Sequence, residues 1–587
     1  MNMAHKAAPF VSEKDKERFW HSTSHILADA VKRLWPDTKL GIGPAIADGF
    51  YYDFDKKEPF TAEDIVKIEK EMKKIVKEDK FFKQVKLSRK DAEKQLKNEP
   101  YKLELLRDIP DKEVSFGQHG QFIDLCNNPL VEQAGQIKAF KLLNMAAAYW
   151  RGDSKRKVLQ RIYGISFPNQ EELDEYLKTI ENAEKNNHIV LGKKLGLYSM
   201  FPDVIGSGLP IFLPKGATIR RVLERFIEDE ELKRGYQRVY TPDFAKEVLY
   251  ETSGHLPYYA DNMYPAMKID EDKFRLKPTT CPLHCLVFKS VPRSYKELPL
   301  RIAELAKQYR LEKSGALGGL QRVAHFVLAD SHIFCTEEQV KQEVKAAFDL
   351  VIYCTKTLGF KNWWVRLSLR DKDNAKYIKN DKLWETSTKL LRECLDDMKI
   401  KYVAAEGHAA FYGPKIDIQM KNIYGKEDTI LTVQVDYFLP ERFKLEYIGA
   451  DNKFHRPVMI HRSSIGAIER TIAVLIEQYA GAFPTWLAPV QVKLLTFTDR
   501  NQKYAEKIEK QLRADGLRVE ADYSSNTVEY KVRTAELEKV PAILVCGDKE
   551  EKLGTVAVRW RGTSKVKFGI KIGDFIKELN ELIEKRM

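Results

Sequence analysis

The chain has 587 residues and a formal net charge of +13 at pH 7. This length exceeds what a single hydrophobic core organises, so several domains are expected. Hydrophobic residues make up 43% of the chain, which excludes an intrinsically disordered protein. The positive charge favours a polyanionic partner, most simply nucleic acid; a basic protein with scattered lysines is the alternative that charge leaves open.

The N-terminal residues, the lack of long apolar runs and the cysteine content indicate in which cellular compartment the protein is found. Residues 1–20 contain no apolar segment of the kind found in secretion signals, and no later run is long enough for a membrane span. The seven cysteines are odd in number and widely spread, which argues against a disulfide framework. We therefore expect a cytoplasmic protein with no membrane partner.

Hydrophobic periodicity and charge divide the chain into four parts. Residues 1–170 mix helices and strands, and residues 171–192 are highly charged and predict a linker helix. Residues 193–485 form a larger mixed region. From residue 486 strands and helices alternate, which predicts a separate α/β domain with a largely parallel sheet.

The most informative stretch is 298–335, which predicts two strands joined by a Gly-rich loop. Arg310 and Arg322 lie near the two ends of that loop, and Phe326 and His332 follow on the return strand. Guanidinium groups pair bidentately with phosphate oxygens, and a Phe ring can stack on a purine. The stretch therefore predicts a nucleotide site on an antiparallel sheet.

This hairpin resembles motif 2 of the class II aminoacyl-tRNA synthetases, and within them the threonyl enzymes. A long helix that stops at Gly235 and a strand up to Pro242 resemble motif 1, which builds the dimer interface in that family, and IGAIER resembles motif 3. The resemblance covers nearly the whole chain. Because it begins at the editing domain, we expect the small N-terminal ubiquitin-like domain of many bacterial members to be absent. It implies a homodimer and an α+β multidomain fold. The implied domains are an α+β editing-like domain over 1–170, a class II antiparallel sheet flanked by helices over 193–485, and an α/β anticodon-binding domain over 486–587.

Three segments, KPTTCPLH, ADSHIF and VMIHRSS, resemble the elements in which threonyl enzymes bind a catalytic zinc ion. The resemblance implies one zinc per subunit, with Cys281, His332 and His461 as ligands. Three protein ligands and an open fourth position suit a metal that binds substrate. Such a metal could separate threonine from valine, which an apolar pocket does poorly, because valine has no hydroxyl oxygen. Asp330 would accept hydrogen bonds from the bound amino acid.

The resemblance also implies contacts for the other groups of the reaction. The ATP contacts, with Mg²⁺ assisting, are Arg310 for the α-phosphate, Glu312 for the adenine amino group, Arg322 for the γ-phosphate, Phe326 for the base, and Arg470 for the adenine and γ-phosphate. Residues implied for the aminoacyl-adenylate site are Tyr412, Lys415 and Gln434, and His255 is implied in transfer to the tRNA ribose. Three pocket positions depart from the family, since Leu328 replaces a usual Gln, Ala467 a usual Ser, and Thr429 lies near another usual Gln.

The N-terminal region resembles a second site. Serine keeps the hydroxyl of threonine and lacks one methyl group, a difference worth only about 1–3 kcal/mol, so fidelity needs an editing site. HSTSH, DLC and AYWRGDS resemble the editing domain of bacterial threonyl enzymes, which hydrolyses seryl-tRNA without zinc. His21, His25, Asp124 and Cys126 match that site, but Leu130 replaces its last histidine. Both retained and lost hydrolysis stay open.

The C-terminal region resembles the anticodon-binding domain of the same subclass. Glu550 and Arg559 match positions that read anticodon bases, and the basic residues Lys531, Arg533, Arg559 and Arg561 are expected to contact phosphates. The resemblance thus implies a threonine–tRNA ligase that activates L-threonine with ATP and transfers it to tRNA(Thr). The alternatives are a non-catalytic RNA-binding regulatory paralogue and a related class II ligase for another amino acid, such as serine or proline.

Overall fold

The computed structural model describes residues 12–153, 155–371 and 377–586. Residues 1–11, which belong to the stretch where no secretion signal is expected, lie outside the described residues. The chain divides into two compact units, residues 1–181 and 182–587. This division does not decide the domain borders expected near residues 170, 192 and 485, which stay predictions.

Unit 1 contains two sheets and several helices. Its helices are α1 (Glu13–Leu34), α2 (Ala62–Glu78), α3 (Arg89–Gln95), α4 (Pro100–Arg107) and the start of α5 (Gln170–Asn186). Its strands are β1 (Lys39–Leu40), β2 (Ala45–Ile46), β3 (Gly49–Asp55), β4 (Phe82–Ser88), β5 (Glu113–His119), β6 (Phe122–Leu125), β7 (Ala139–Tyr149) and β8 (Val158–Phe167). Among the described residues, one antiparallel sheet has the order β1-β3-β8-β7 with β2 on β3, and another has the order β4-β5-β6.

Local sequence explains the two long helices of unit 1. Ser12 caps α1 by accepting a hydrogen bond from the Asp15 backbone, and Thr61 starts α2 in a capping box. In α2 the residues at three- and four-residue spacing, Ile68, Met72 and Ile75, are fully buried. This apolar face packs with α1 in the core that covers the larger sheet.

Unit 2 holds the remaining elements. Its helices are α6 (His188–Lys194), α7 (Pro214–Lys233), α8 (Glu247–Ser253), α9 (His255–Tyr259), α10 (Cys281–Lys289), α11 (Val340–Thr357), α12 (Asp381–Asp397), α13 (Phe438–Arg442), α14 (Ile468–Tyr479), α15 (Gln502–Ala514), α16 (Val528–Leu537), α17 (Asp548–Leu553) and α18 (Ile572–Glu584). Its shorter strands are β9 (Tyr198–Ser199), β10 (Ile211–Phe212), β12 (Phe244–Lys246), β13 (Met267–Ile269), β14 (Asp272–Leu276), β21 (Tyr447–Ile448) and β22 (Phe454–His455).

A large mixed sheet forms the centre of unit 2. Its strands are β11 (Gln237–Arg238), β15 (Leu300–Tyr309), β16 (His325–Cys335), β17 (Trp363–Ser368), β18 (Tyr402–Ala405), β19 (Lys415–Lys421), β20 (Glu427–Asp436) and β23 (Val458–Ala467). Their order within the described residues is β11-β15-β16-β23-β20-β19-β17-β18. The interior pairs are antiparallel and the two edge pairs are parallel. Helices α7, α11 and α14 contribute apolar residues to the core that packs against this sheet. Strands β15 and β16 form the hairpin predicted over residues 298–335.

The last sheet consists of β24 (Val492–Thr496), β25 (Val519–Asp522), β26 (Ala542–Cys546), β27 (Thr555–Trp560) and β28 (Val566–Lys571), in the order β25-β24-β26-β27-β28. Only the pairs that involve β24 are parallel, so the expectation of a largely parallel sheet is wrong. Between β26 and β27 and between β27 and β28 the connections are too short for a crossover, so these strands pair antiparallel.

Two sequence expectations about compartment can be compared with the described residues. Within 12–153, 155–371 and 377–586, no helix combines the length and the apolar character needed to cross a membrane. All seven cysteines belong to these ranges, are buried, and carry free thiols.

Candidate active and editing sites

A cavity of about 300 Å³ opens on one face of the large sheet. Most of the predicted catalytic residues line it: Arg310, Glu312, Arg322, Phe326, Asp330, His332, Tyr412, Gln434, His461 and Arg470. Three others, Cys281, His255 and Lys415, lie beside it without lining it.

Strand register explains why residues far apart in sequence meet here. His332 on β16 is directly opposite His461 on β23, which is opposite Gln434 on β20, which is opposite Lys415 on β19. Residues directly opposite each other lie on the same face of a sheet. One row of side chains across four strands therefore joins the predicted metal ligands to two of the predicted amino-acid contacts.

Cys281, at the start of α10, completes a compact group with the two histidines. One ligand atom from each of Cys281, His332 and His461 lies within 4.8 Å of the others, and all three residues are buried. The closest approach is 2.9 Å, between His332 Nε2 and His461 Nδ1.

The protons of this group can be assigned from its outer partners. His461 Nε2 lies 2.9 Å from a carboxylate oxygen of Asp436, which can only accept, so that nitrogen carries the proton. On the other side His284 Nε2 lies 3.2 Å from a Glu304 carboxylate oxygen, and His284 Nδ1 lies 2.7 Å from His332 Nδ1. If all three rings are neutral, His284 donates to Glu304 and accepts from His332 Nδ1.

This assignment leaves His332 Nε2 and His461 Nδ1 both unprotonated, facing each other. Two lone pairs at 2.9 Å repel unless a cation lies between them and the Cys281 sulfur. Burial lowers the pKa of His332 well below its usual value and raises the pKa of the Cys281 thiol, so a thiolate there needs a cation. Neutral imidazoles oriented by carboxylates are the form that binds zinc, so the residues present fit such an ion.

The end of the cavity next to the loop between β15 and β16 contains the residues that are predicted to bind ATP. The Arg310 guanidinium lies 5.0 Å from the centre of the Phe326 ring, and Arg322 forms an ion pair of 2.6 Å with Glu312. Arg470 donates to two backbone carbonyl oxygens, of Gln321 at 3.0 Å and Thr429 at 3.3 Å. Three guanidinium groups therefore converge on one end of the cavity.

The opposite end carries the predicted amino-acid residues. Tyr412 donates to Gln434 at 2.7 Å and its ring stacks on His461 at 5.0 Å between centres. Asp330 accepts from Gln308 Nε2 at 3.3 Å, and burial raises the pKa of its carboxyl group. Lys415 forms an ion pair of 3.1 Å with Asp417.

Two of the three unusual pocket residues face each other. Leu328 is directly opposite Ala467, and both line the cavity, so this wall is apolar. Thr429 also lines it and accepts a hydrogen bond of 2.7 Å from Gln419.

His255 has a different neighbourhood from the residues that line the cavity. Its Nε2 lies 3.7 Å from the Cys281 sulfur and its Nδ1 lies 2.9 Å from Ser253 Oγ. Burial lowers the pKa of His255 to about 3, so the ring is neutral at physiological pH.

Unit 1 brings together the residues predicted for editing. His21 Nε2 lies 3.1 Å from Cys126 Sγ and 3.3 Å from His25 Nε2, and His25 Nδ1 lies 3.7 Å from Asp124. A Cβ added at Gly117 would lie 2.8 Å from Leu130 Cδ1 and 3.3 Å from Cys126 Cβ, so Leu130 lies beside Cys126.

Distance alone would let His21, His25 and Cys126 share a metal ion too. His21 and Cys126 can pair with each other without one, whereas His25 Nδ1 is buried and has no hydrogen-bond partner among the described residues. His21 Nδ1 donates to the Gly43 carbonyl at 3.0 Å, so its Nε2 accepts. Burial raises the pKa of Cys126 to about 11, so the thiol keeps its proton and can donate to that nitrogen. This pairing contrasts with the facing lone pairs of unit 2.

Sequence reasoning did not find several partners in these sites. Lys102 and Tyr52 both bind Asp124, at 2.7 and 2.5 Å, and nothing in their spacing indicates it. Asp436 and Glu304 likewise belong to no sequence motif that indicates their contacts with His461 and His284. The position of His284 near the metal group could have been predicted from the sequence. It follows Cys281 by three residues at the start of a helix, and residues at that spacing lie on the same helix face.

A cavity in this part of the chain is lined by Phe497, which is 56% exposed, by residues 498–499 and 524–529, and by Lys531. The predicted anticodon residues Glu550 and Arg559 do not line it. Arg559 pairs with Glu536. The expectation that Lys531 and Arg561 contact phosphates is not supported: Lys531 is 1% exposed and binds Thr496, and Arg561 donates to two backbone carbonyls.

Comparison with known families agrees with this geometry. The tRNA synthetase class II core domain (G, H, P, S and T) matches residues 264–479, and an anticodon binding domain matches residues 487–582. The threonyl and alanyl tRNA synthetase second additional domain matches residues 114–163. The large sheet with its cavity is therefore the catalytic core of a class II aminoacyl-tRNA synthetase.

Full-length relatives define the family more closely. The chain is 48% identical to a threonine–tRNA ligase of a Geobacillus species, over 95% of this chain and 87% of the relative. It is 49% identical to one of Anoxybacillus flavithermus, over 93% and 85%. A solved RNA binding domain of threonyl-tRNA synthetase from Cryptosporidium parvum superposes with a TM-score of 0.64 at 34% identity, covering 68% of this chain and 98% of that one. The chain belongs to the threonine–tRNA ligase family.

The resemblance, the α+β multidomain fold and the enzyme class predicted from the sequence are thereby confirmed. The roles of individual site residues are not tested by these comparisons and stay predictions.

Proposed function

We propose that this chain activates L-threonine with ATP and then transfers it to tRNA(Thr). The observation that carries this proposal is one cavity that holds Arg310, Arg322 and Arg470 at one end and the Cys281, His332 and His461 group beside the other. A phosphate-binding end and a metal-binding end in one cavity suit a reaction that joins an amino acid to a nucleotide. A regulatory paralogue without catalysis would not need both.

The amino-acid end would recognise threonine. Cys281, His332 and His461 would hold one zinc ion per chain, which when bound supplies an electrophilic coordination position for the amino and hydroxyl groups. Asp330 would accept from the threonine ammonium group, whose charge favours the ionised carboxylate. Valine would leave these polar groups unpaired, which costs far more than a missing methylene group.

The nucleotide end would bind ATP with Mg²⁺. Phe326 would stack on the adenine, and Glu312 would accept from its amino group once Arg322 turns from Glu312 to the γ-phosphate. Arg322 is 51% exposed in its side chain, which leaves room for that movement. Arg310 would neutralise the α-phosphate while a threonine carboxylate oxygen attacks the α-phosphorus and pyrophosphate leaves.

In the second step the threonyl group would be transferred to the tRNA. The support for a role of His255 in this step is its position beside the amino-acid end, with Nε2 3.7 Å from the Cys281 sulfur. Tyr412, Gln434 and Lys415 would hold the adenylate during this step. Glu550 and Arg559 would read anticodon bases in the C-terminal domain.

A homodimer is part of the proposal. Large apolar side chains are exposed around α7 and the segments that flank it: Phe201, Val204, Leu232, Tyr240, Phe244 and Val248. Such a surface favours a protein contact. A cytoplasmic location is supported by the free thiols.

The test is threonine-dependent exchange of pyrophosphate into ATP, with and without a chelator. Exchange with threonine that fails with valine and proline, and that falls after chelation, would support the proposal. No exchange in the zinc-loaded chain would refute it, and a preference for serine or proline would favour a ligase for another amino acid. Cys281→Ala should lose bound zinc and exchange together; full exchange without metal would show that the ligand assignment is wrong.

A second function, hydrolysis of seryl-tRNA(Thr), is favoured by the buried network of His21, His25, Cys126 and Asp124. Because the Cys126 thiol keeps its proton, attack by water is expected rather than attack by sulfur. Incubation with seryl-tRNA should show deacylation that Cys126→Ala removes. No deacylation by the unmodified chain, together with recovery in Leu130→His, would mean that Leu130 marks a lost activity.

A further inference from the structure

The imidazole of His188 joins three segments of unit 2. His188 begins the short helix α6 and is 5% exposed. Its Nδ1 lies 2.6 Å from Glu477 Oε1 on α14, the helix that also carries Arg470. Its Nε2 accepts from the backbone N–H of Leu320 at 3.1 Å, in the hairpin loop between Arg310 and Arg322.

The two partners determine the protonation of His188. A carboxylate only accepts, so Nδ1 carries the proton; a backbone N–H only donates, so Nε2 carries the lone pair. The ring is therefore neutral and makes one hydrogen bond at each nitrogen. A side chain that served only to fill space would not need both contacts.

The loop backbone is shaped to reach this ring. Gly319 has a φ of +51°, and a Cβ on it would lie 2.2 Å from His188 Nε2. A side chain at that position would displace the imidazole, so the close approach depends on glycine.

The part of the loop held by His188 is the part that presents the nucleotide-binding groups. Gly318 and Arg322 exchange two backbone hydrogen bonds, of 3.1 and 3.3 Å, which close a turn around Leu320. Within this turn the Gln321 carbonyl accepts from Arg470 at 3.0 Å. The turn therefore sets the position of Arg322 and supplies a partner that orients Arg470.

We propose that His188 is a positioning residue for the ATP site, which holds the Gly318–Arg322 turn through the Leu320 N–H and so places Arg322 and Arg470 for ATP. This inference rests on the proposed use of those arginines in ATP binding. His188 itself touches no substrate. Its loss should weaken ATP binding while threonine binding stays nearly unchanged, because its contacts lie at the nucleotide end only.

The experiment compares three substitutions that separate the two ring nitrogens. In His188→Gln an amide oxygen reaches the place of Nε2 and can accept from Leu320. In His188→Asn the amide reaches only the place of Nδ1, so the contact with Glu477 can remain but the loop is released. His188→Ala loses both, and His455→Asn, at an exposed histidine paired with Asp451, controls for the substitution itself.

Each chain is assayed for the KM of ATP and of threonine in pyrophosphate exchange, and for the Kd of a non-hydrolysable ATP analogue by calorimetry. We expect the Asn and Ala variants to raise both ATP constants about tenfold, the value of one hydrogen bond at the upper end of its range, with the KM of threonine changed less than twofold. The Gln variant should lie within about threefold of the unmodified chain.

Equal ATP constants in all variants would overturn the proposal, as would a Gln variant no better than the Asn variant. Equal rises for ATP and threonine together would indicate general loosening and would also overturn it. Absence of exchange in the unmodified chain would count against the proposed function alone, because the calorimetric ranking of the variants does not require the reaction.

Discussion

The outer partner of His332 offers a direct test of the metal assignment. His284→Leu would remove the acceptor that lies 2.7 Å from His332 Nδ1, at a place where both side chains are fully buried. The His332 N–H would then be left without a partner, at a cost of about 2 kcal/mol, or roughly a thirtyfold weaker zinc Kd. Outer-shell substitutions at metal-binding histidines typically have effects of this size.

The assay is competition for zinc between the metal-free chain and a chromophoric chelator. His284→Asn should recover most of the affinity, since its amide oxygen can accept from His332 Nδ1, and His455→Leu should leave it unchanged. A Kd for His284→Leu within twofold of the unmodified chain would refute the proton assignment that leaves two lone pairs for the metal.

Three further predictions follow from the same contacts. Arg470→Lys should lower kcat/KM for ATP in pyrophosphate exchange about thirtyfold, because an ammonium group cannot reproduce the planar guanidinium that donates to the carbonyls of both Gln321 and Thr429. An unchanged kcat/KM would contradict the placement of Arg470 in the ATP site. Lys102→Met should destabilise unit 1 by about 3 kcal/mol in chemical denaturation, because it leaves the Asp124 carboxylate buried without its cation. The control Lys67→Met, at an exposed lysine, should cost less than about 0.5 kcal/mol. Equal losses of stability in the two variants would argue against the buried ion pair. Ellman's reagent should react slowly with the native chain and release seven equivalents after unfolding, because all seven thiols are buried; several fast-reacting thiols would contradict that burial.

Much of the catalytic core could be predicted from local pattern. The hairpin over residues 298–335 is β15 and β16, and the charged stretch after residue 170 is helix α5. The segment HRSSIGA forms the last seven residues of strand β23, and helix α14 begins only at Ile468. Gly466, with a φ of +72°, lies one residue before the end of that strand.

Outer contacts were the weakest part of the prediction. Lys102 and Tyr52 bind Asp124 across separate elements of unit 1, and His188 reaches a loop 132 positions away. A single lysine, tyrosine or histidine carries no spacing that indicates such a contact. Strand direction in the last sheet was predicted wrongly, because the connections after β26 and after β27 are too short for the crossover that a parallel pair needs.

The sequence by itself determined the elements and the kinds of side chain they carry, because helix and strand periodicity, caps and glycine positions are local properties. It also placed two arginines, an aromatic ring and a histidine on one hairpin. Only the tertiary structure decided that His332 and His461, 129 positions apart, face each other at 2.9 Å. That distance depends on the register of β16 against β23, and the free lone pairs depend on His284 and Asp436 from two further segments.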